Sequence, residues 1–362
     1  MNRGGLETML MNYYRQMDRT KIQFDFMVHR EESGHYDEEI LNLGGNIYKM
    51  PQIRPGNYKK YFKLLDDFFL LHSEYRVVHS HINENSSFVI RAANKAGVPC
   101  RIAHSHLSDL GLDLKLPFRI YARNVMKDHP TEYFACSQKA GEWLFGKQLA
   151  NSEKVTVLNN AVDVNQFKFN QVVRNQIRKE INAGEKLVIG HIGRFNKQKN
   201  HEFLLDIFKS LHKKNPNSLL VLVGDGHLRA TIEKKAKQLD LSPHVRFLGV
   251  RENISELMQG FDLFLFPSLF EGLPVVLVEA QAAGLSCIIS DSITKESNVT
   301  GRIDFCSLKE QANVWADKIL TSSYDHKDTS KILREKGYDT ATMADWLYDF
   351  YMNRALALRK QA

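Results

Sequence analysis

Short apolar runs, rich in β-branched and aromatic residues, alternate with amphipathic stretches along almost the whole chain. Strands are predicted over Ile22–Val28, Arg76–Ser80, Arg101–Ser105, Glu132–Cys136 and Val155–Leu158. A second series runs Leu187–Ile192, Leu219–Val223, Val245–Leu248, Asp262–Phe266, Ser286–Ser290 and Gly301–Phe305. Apolar residues at helical spacing fill intervals between them: Tyr58–His72, Ser86–Ala96, His201–Lys214, Leu228–Leu239 and Pro274–Ala283. Strands alternating with helices of about ten residues or more argue for parallel βαβ units. Leu263 to Phe266 is apolar without alternation, as expected where helices cover both faces of a sheet.

At ~150 residues per domain, 362 residues make two domains. The expected boundary lies between Asp163 and Gly184, where "NNAVDVNQF" (159–167) gives way to a polar segment. The expected division is an N-terminal domain over 1–166 and a C-terminal domain over 167–339, with a helix at about 340–362 packing back on the first. The fold class is α/β: two tandem Rossmann-like, doubly wound domains facing across a cleft, with ligands at the carboxyl ends of the strands. The opening "MNRGGLETMLMNYYRQM" begins at a loop, with no strand ahead of Gly4-Gly5. The N-domain is therefore expected to lack its first strand, and the chain as given to be truncated.

Composition narrows the class. Hydrophobic residues at 43% and charged residues at 25% are ordinary for a globular chain and exclude disordered and collagen-like classes. No run approaches the ~18 apolar residues of a membrane span; the nearest, Val275 to Ile289, is interrupted by Glu279 and Gln281. Met1-Asn2-Arg3 runs into glycines, so no signal peptide is expected. Cys100, Cys136, Cys287 and Cys306 are far apart and fit neither a zinc spacing nor a disulfide framework, which points to buried thiols in a reducing cytoplasm. The net charge of +7 is spread over both halves, unlike the concentrated face of a nucleic-acid binder.

Two segments carry chemistry. In "FPSLFEGLPVVLVEAQAAG" (266–284), Pro274 suits the first position of a helix, which places Glu271 in the preceding loop and Glu279 in the second turn. The free N–H groups and dipole of such a helix start attract an anion, here with a carboxylate on either side to hold hydroxyls. In "GHIGRFNKQKN" (190–200), Arg194 and Lys199 follow a strand and can converge on a phosphate pair, Arg as a planar fork and Lys as a compact charge. The turn is neither a P-loop nor a clean dinucleotide fingerprint. Incidental solvated charges are the competing explanation for each segment alone.

Together, Glu271 and Glu279 around EGLP, the GRxxxxK pattern at 193–199, "VGDG" at 223–226 and "NNAVD" at 159–163 resemble glycosyltransferase family 4, a retaining, nucleotide-sugar-dependent family of GT-B fold. "RGGLE" (3–7), "AHSH" (103–106) and "ACS" (135–137) resemble its bacterial exopolysaccharide and capsule branch. The resemblance implies that Glu271 holds hydroxyls of the donor sugar and Glu279 those of the ribose. Arg194 and Lys199 neutralise the diphosphate, cradled by backbone around Gly193, Gly272 and Leu273, with Gly4 and Gly5 from the facing domain. The base rests near Gly249 to Ile254. A histidine after an N-domain strand faces donor and acceptor; His106 is favoured over His104, with His79 and His81 as scaffold. No metal site and no cofactor beyond the nucleotide-sugar co-substrate are expected.

The implied activity is transfer of a sugar, from a UDP-sugar by expectation, to a polysaccharide or polyprenyl-diphosphate-linked saccharide with retention of configuration. The expected place is the cytoplasm, with peripheral contact on the inner membrane face. Lys115, Arg119, Arg123 and Lys127 recur at four-residue spacing, and "NYKKYFKLLDDFFLL" (57–71) mixes basic and aromatic residues, as interfacial helices do. Ordinary amphipathic helices account for both patterns as well. Rival readings are a GT-B sugar-nucleotide epimerase, a truncated non-catalytic chain and a nucleic-acid binder; the last lacks an aromatic platform and a basic cluster.

Overall fold

The computed structural model describes residues 1–2, 4–54, 56–106, 116–126 and 129–357, so Arg3, Lys115, Lys127 and the last five residues of the expected C-terminal helix lie outside the described residues. The chain forms two compact units, one of residues 1–161 with 340–362, the other of 162–339. Residues 162–166 thus belong to the second unit, whereas the sequence boundary assigns them to the first.

The first unit holds strands β1 (Phe26–Val28), β2 (Ile47–Lys49), β3 (Val77–Ser80), β4 (Cys100–Ser105), β5 (Glu132–Ala135) and β6 (Val155–Val157). All pair in parallel, but in two sheets: β1 with β2, and β3-β4-β5-β6 in that order. β1 is shorter than expected because its partner β2 offers only three paired residues; the backbone of Ile22 to Asp25 lies outside any ladder. The helix Gly5–Gln16 precedes β1, with Met9 and Tyr13 buried among Ile102, Phe134 and Leu158. Into the same core the helix Thr340–Ala357 sends Ala344, Leu347 and Tyr351. All four cysteines are buried free thiols.

The basic, aromatic helix Tyr58–Leu71 turns Tyr61, Leu65 and Phe69 into the core, leaving Leu70 and Leu71 exposed at its end. Of the four-residue basic stripe, Arg119 lies 3.5 Å from the buried Glu84. Among the described residues no helix is long and apolar enough to cross a membrane.

The second unit holds β7 (Leu187–Ile192), β8 (Ser218–Val223), β9 (Val245–Phe247), β10 (Leu263–Phe266), β11 (Ser286–Ser290) and β12 (Ile303–Cys306). These form one parallel sheet in the order β12-β11-β10-β7-β8-β9. Every residue of β8 and β10 is buried, because apolar clusters cover both faces of the sheet. Gly190, in the middle of β7, makes room for Phe261: a Cβ there would sit 2.0 Å from the ring. Asp262, just before β10, accepts from Arg174, Arg178 and the Val188 N–H, closing the amino end of the sheet with a buried carboxylate that is fully partnered.

Candidate functional site

In the second unit the chain lays down β7, moves outward through β8 and β9, then returns to the other side of β7 with β10. That reversal between β7 and β10 is the topological switch point, where the loops leaving the carboxyl ends part and open a crevice. The turn after β7 carries Gly193, Arg194 and Lys199; the loop after β10 carries Glu271, Gly272 and Leu273.

The β7 turn is fixed from both sides. Gly193 N–H donates to Val223 O at 2.9 Å and Phe195 N–H to Asp225 O at 3.0 Å, which joins the turn to the "VGDG" segment. Gly224 adopts φ +128°, and a Cβ on it would lie 2.2 Å from Gly193 O, so only glycine allows this approach. Asn196 Oδ1 accepts from Lys199 N–H at 3.1 Å, and Asn200 Nδ2 donates to Pro267 O at 3.1 Å. Leu269 N–H to Gln198 O at 2.8 Å and Gln198 Nε2 to Phe270 O at 3.0 Å complete the tie to the β10 loop. Asn196, Gln198 and Asn200 were not singled out from the sequence, since a polar residue in a polar turn carries no distinguishing signal.

These ties bring two of the expected site residues into contact. Lys199 Nζ donates to Glu271 Oε1 at 2.7 Å and lies 4.5 Å from the Phe266 ring centroid. The two side chains are 15% and 9% exposed, so the pair is largely removed from water. Arg194 is exposed and has no ion-pair partner among the described residues, which leaves its guanidinium available to a ligand.

Pro274 is the N-cap of the following helix, Val275–Ala282, rather than its first residue. Its ψ of 128° is extended and so outside the helical range; the first helical position falls to Val275. The first-turn N–H groups still point back toward Glu271–Leu273. Glu279 stands in the second turn, as expected, with no ion-pair partner among the described residues, and desolvation pushes its carboxyl up to about 7. The segment after β9 begins with Gly249, whose carbonyl accepts from Gly224 N–H at 2.8 Å, so it borders the same turn.

In the first unit, Gly4 is the N-cap of the helix Gly5–Gln16, with Thr8 N–H donating to its carbonyl at 2.9 Å. His106 does not stand alone. β3 and β4 run in register with His79 opposite Ile102, so alternate residues past it place His79, His81, His104 and His106 on one face at the carboxyl ends. His79 Nε2 and His104 Nδ1 are 3.0 Å apart, as are His81 Nδ1 and His106 Nε2. His79 with His81, and His104 with His106, stack at 4.1 Å between centroids. Tyr351 hydroxyl is 2.7 Å from His79 Nδ1, and Asn83 Oδ1 accepts from the His106 backbone N–H at 2.8 Å. Desolvation holds the rings neutral: His79 and His106 are lowered to about 3, His81 and His104 well below the usual imidazole range. His104 is completely buried and His106 half-buried. The signal for the quartet was in the chain, as two His-x-His patterns ending consecutive strands.

Comparison with known proteins gives concordant matches. The family described as Glycosyltransferase Family 4 matches residues 3–166, and that described as Glycosyl transferases group 1 matches residues 173–338. The chain is 40% identical over 361 residues to EpsF of Bacillus subtilis (strain 168), named as a glycosyltransferase, covering 97% of this chain and 94% of that protein. It is 30% identical to the UDP-Gal:alpha-D-GlcNAc-diphosphoundecaprenol alpha-1,3-galactosyltransferase of Escherichia coli, over 74% of this chain and 72% of that one. Among solved structures, Anabaena HepE in complex with UDP superposes with TM-score 0.78 at 18% identity, covering 97% of this chain and 96% of that chain.

Proposed function

The chain belongs to the glycosyltransferases, a family 4 domain followed by a group 1 domain on the GT-B fold, and from that premise we propose that it moves a sugar from a UDP-sugar to a saccharide acceptor, polymeric or carried on a polyprenyl diphosphate, with retention. It works in the biosynthesis of exopolysaccharide or capsule. Its relatives there include the capsular polysaccharide biosynthesis glycosyltransferase CapH of Staphylococcus aureus. The observation that carries the reading is the Lys199–Glu271 pair at the switch point between β7 and β10, with an exposed Arg194 in the same turn and a helix N-terminus following Glu271.

Each group has a part. Arg194, Lys199 and the backbone N–H groups around Gly193, Gly272 and Leu273 stabilise charge as it accumulates on the departing diphosphate, without a divalent ion. Glu271, anchored by Lys199, accepts from donor-sugar hydroxyls and sets the ring's orientation. Glu279, in the second turn of the helix Val275–Ala282, accepts from the ribose hydroxyls, and the base lies along Gly249 to Ile254. The acceptor hydroxyl attacks on the face the diphosphate leaves. The bond from the anomeric carbon to phosphate oxygen breaks, the bond to the acceptor oxygen forms, and the departing phosphate oxygen takes the acceptor's proton. In the first unit, Gly4, Gly5 and His106 have the ligand-binding roles that the family membership implies. The exposed Leu70 and Leu71, at the end of the helix that carries Lys59, Lys60 and Lys63, support peripheral contact with the inner membrane face.

The test is to incubate the protein with UDP-, GDP- and ADP-sugars, with and without a lipid-linked saccharide, in chelator. Nucleotide release and the anomeric proton of the product are then followed. Acceptor-dependent release of UDP with a retained anomer is expected. Equal release without acceptor, an inverted anomer, or a loss of activity on chelation that Mg²⁺ restores would each overturn a part of the reading.

A further inference from the structure

Three of the four clustered imidazoles in the first unit do more than pack. His79, His81 and His104 each present a ring nitrogen within 4.8 Å of one from each of the other two. About 3.3 Å separates neighbouring nitrogens around a tetrahedral zinc with bonds of ~2.0 Å. The His79–His104 pair is already at 3.0 Å, so a small outward movement of the rings admits an ion. Nδ1, the nitrogen that faces His79, is the one His104 offers to an ion; its Nε2 is buried with no hydrogen-bond partner among the described residues, so no protein oxygen there holds the ring in another orientation.

The surroundings also match what an imidazole ligand requires. A metal-bound histidine donates its second ring N–H to an oxygen or nitrogen that fixes its orientation. Tyr351 hydroxyl stands at Nδ1 of His79, and His106 Nε2 stands at Nδ1 of His81, leaving the Nε2 atom of each ring as its metal-facing nitrogen. The backbone is rigid here, since the histidines end two hydrogen-bonded parallel strands.

We propose that His79, His81 and His104 form a binding site for a first-row divalent transition ion, zinc or its neighbours, with Tyr351 and His106 as orienting partners. An all-imidazole set suits Zn²⁺, Co²⁺, Ni²⁺ and Cu²⁺ and disfavours Mg²⁺ and Ca²⁺, which take oxygen. Three protein nitrogens leave a fourth position for water or an incoming group. The bound ion ties the carboxyl ends of β3 and β4 together and holds His106 through His81. It is separate from the diphosphate chemistry, which the second unit supplies through cations.

The experiment uses the full chain, freed of any affinity tag and stripped with chelator, titrated with Co²⁺ and Zn²⁺. Binding is followed by visible absorption of Co²⁺ and by calorimetry, so no transfer assay enters and the two readings fail independently. One equivalent of Co²⁺ with intense four-coordinate bands, displaced by Zn²⁺, is expected; Mg²⁺ should not compete. His79→Gln and His104→Gln should each weaken binding at least ~10-fold, and Tyr351→Phe by about 10-fold. His212→Gln, in the second unit, should leave it unchanged. Absence of a one-to-one site, unchanged affinity in folded His79→Gln or His104→Gln, or an equal loss in His212→Gln would overturn the proposal. Where a variant does not fold, Zn²⁺ protection of His79 and His81 from diethylpyrocarbonate in the unaltered chain decides. Equal modification with and without Zn²⁺ overturns the site.

Discussion

In the role proposed for Glu279, its raised carboxyl should couple nucleotide binding to pH. Desolvation in the helix after EGLP raises its carboxyl to about 7, so at neutral pH about half of the molecules carry it protonated. Ribose hydroxyls are donors, and only the ionised carboxylate offers both oxygens as acceptors. Association should then scale with the ionised fraction, about 0.1 at pH 6 and about 0.9 at pH 8, which makes affinity for UDP-glucose rise about tenfold over that interval. UDP-glucose is the better probe, because the terminal phosphate of free UDP titrates near pH 6 by itself. Calorimetry in two buffers of different ionisation heat should also find about half a proton released on binding at pH 7.

The same shift has a stability sign. Between the ordinary glutamate range and about 7 the folded chain keeps a proton the unfolded chain has lost. Stability therefore falls as pH rises through that window, by up to about 3 kcal/mol. Glu279→Gln should melt near the parent at pH 4, melt higher at pH 8, and bind UDP-glucose weakly with a flat pH profile. A flat profile in the parent, or an undiminished slope in Glu279→Gln, would refute the reasoning.

Removing the exposed cation with Arg194→Ala should lower turnover by at least about 10-fold, since a charge-assisted contact contributes ~1.5–3 kcal/mol; near-normal turnover in both Arg194→Ala and Lys199→Ala would sink the proposed phosphate clamp. Lys199→Met should destabilise the chain by about 3 kcal/mol, because Glu271 is left largely buried without its partner, and adding Glu271→Gln should restore most of the loss in urea melts. Gly224→Ala forces a Cβ against Gly193 O and a side chain into φ +128°; the expected result is a lower melting temperature and weaker UDP binding together. Asp262→Ala strands Arg174, Arg178 and the Val188 N–H at the far end of the same sheet, so it should reduce stability by about 3–5 kcal/mol while leaving the KM for the donor unchanged in whatever protein remains folded.

The alternation of apolar and amphipathic segments was enough to place β3 to β12 within a residue or two, because each is a short apolar-rich run set between turns or helical stretches. The two segments of the candidate site stood out in the sequence for a related reason. The Gly193–Lys199 turn and the Glu271–Glu279 segment are each continuous in the chain, and each follows a strand, so composition and position already pointed to phosphate and hydroxyl chemistry. β2 was not legible, since the three residues Ile47–Lys49 carry too little periodicity to separate from a loop. Its shortness in turn limited β1, whose apolar run continues back to Ile22 without pairing.

What the sequence could not decide depends on register and burial. Lys199 and Glu271 meet across 72 positions because β10 returns beside β7, a pairing set by strand order and not by any local pattern. Taken singly, a carboxylate eight residues from another is an ordinary acid; only the surrounding protein strips water from Glu279 and lifts it to about 7. The histidines show the division most clearly. Two His-x-His patterns fix by their two-residue spacing that each pair shares a face of its strand. Whether the pairs face each other or lie apart is settled by the alignment of β3 against β4, where His79 stands opposite Ile102. A slip of one residue would have turned one pair to the opposite face, and the quartet exists only because the parallel ladder holds that register.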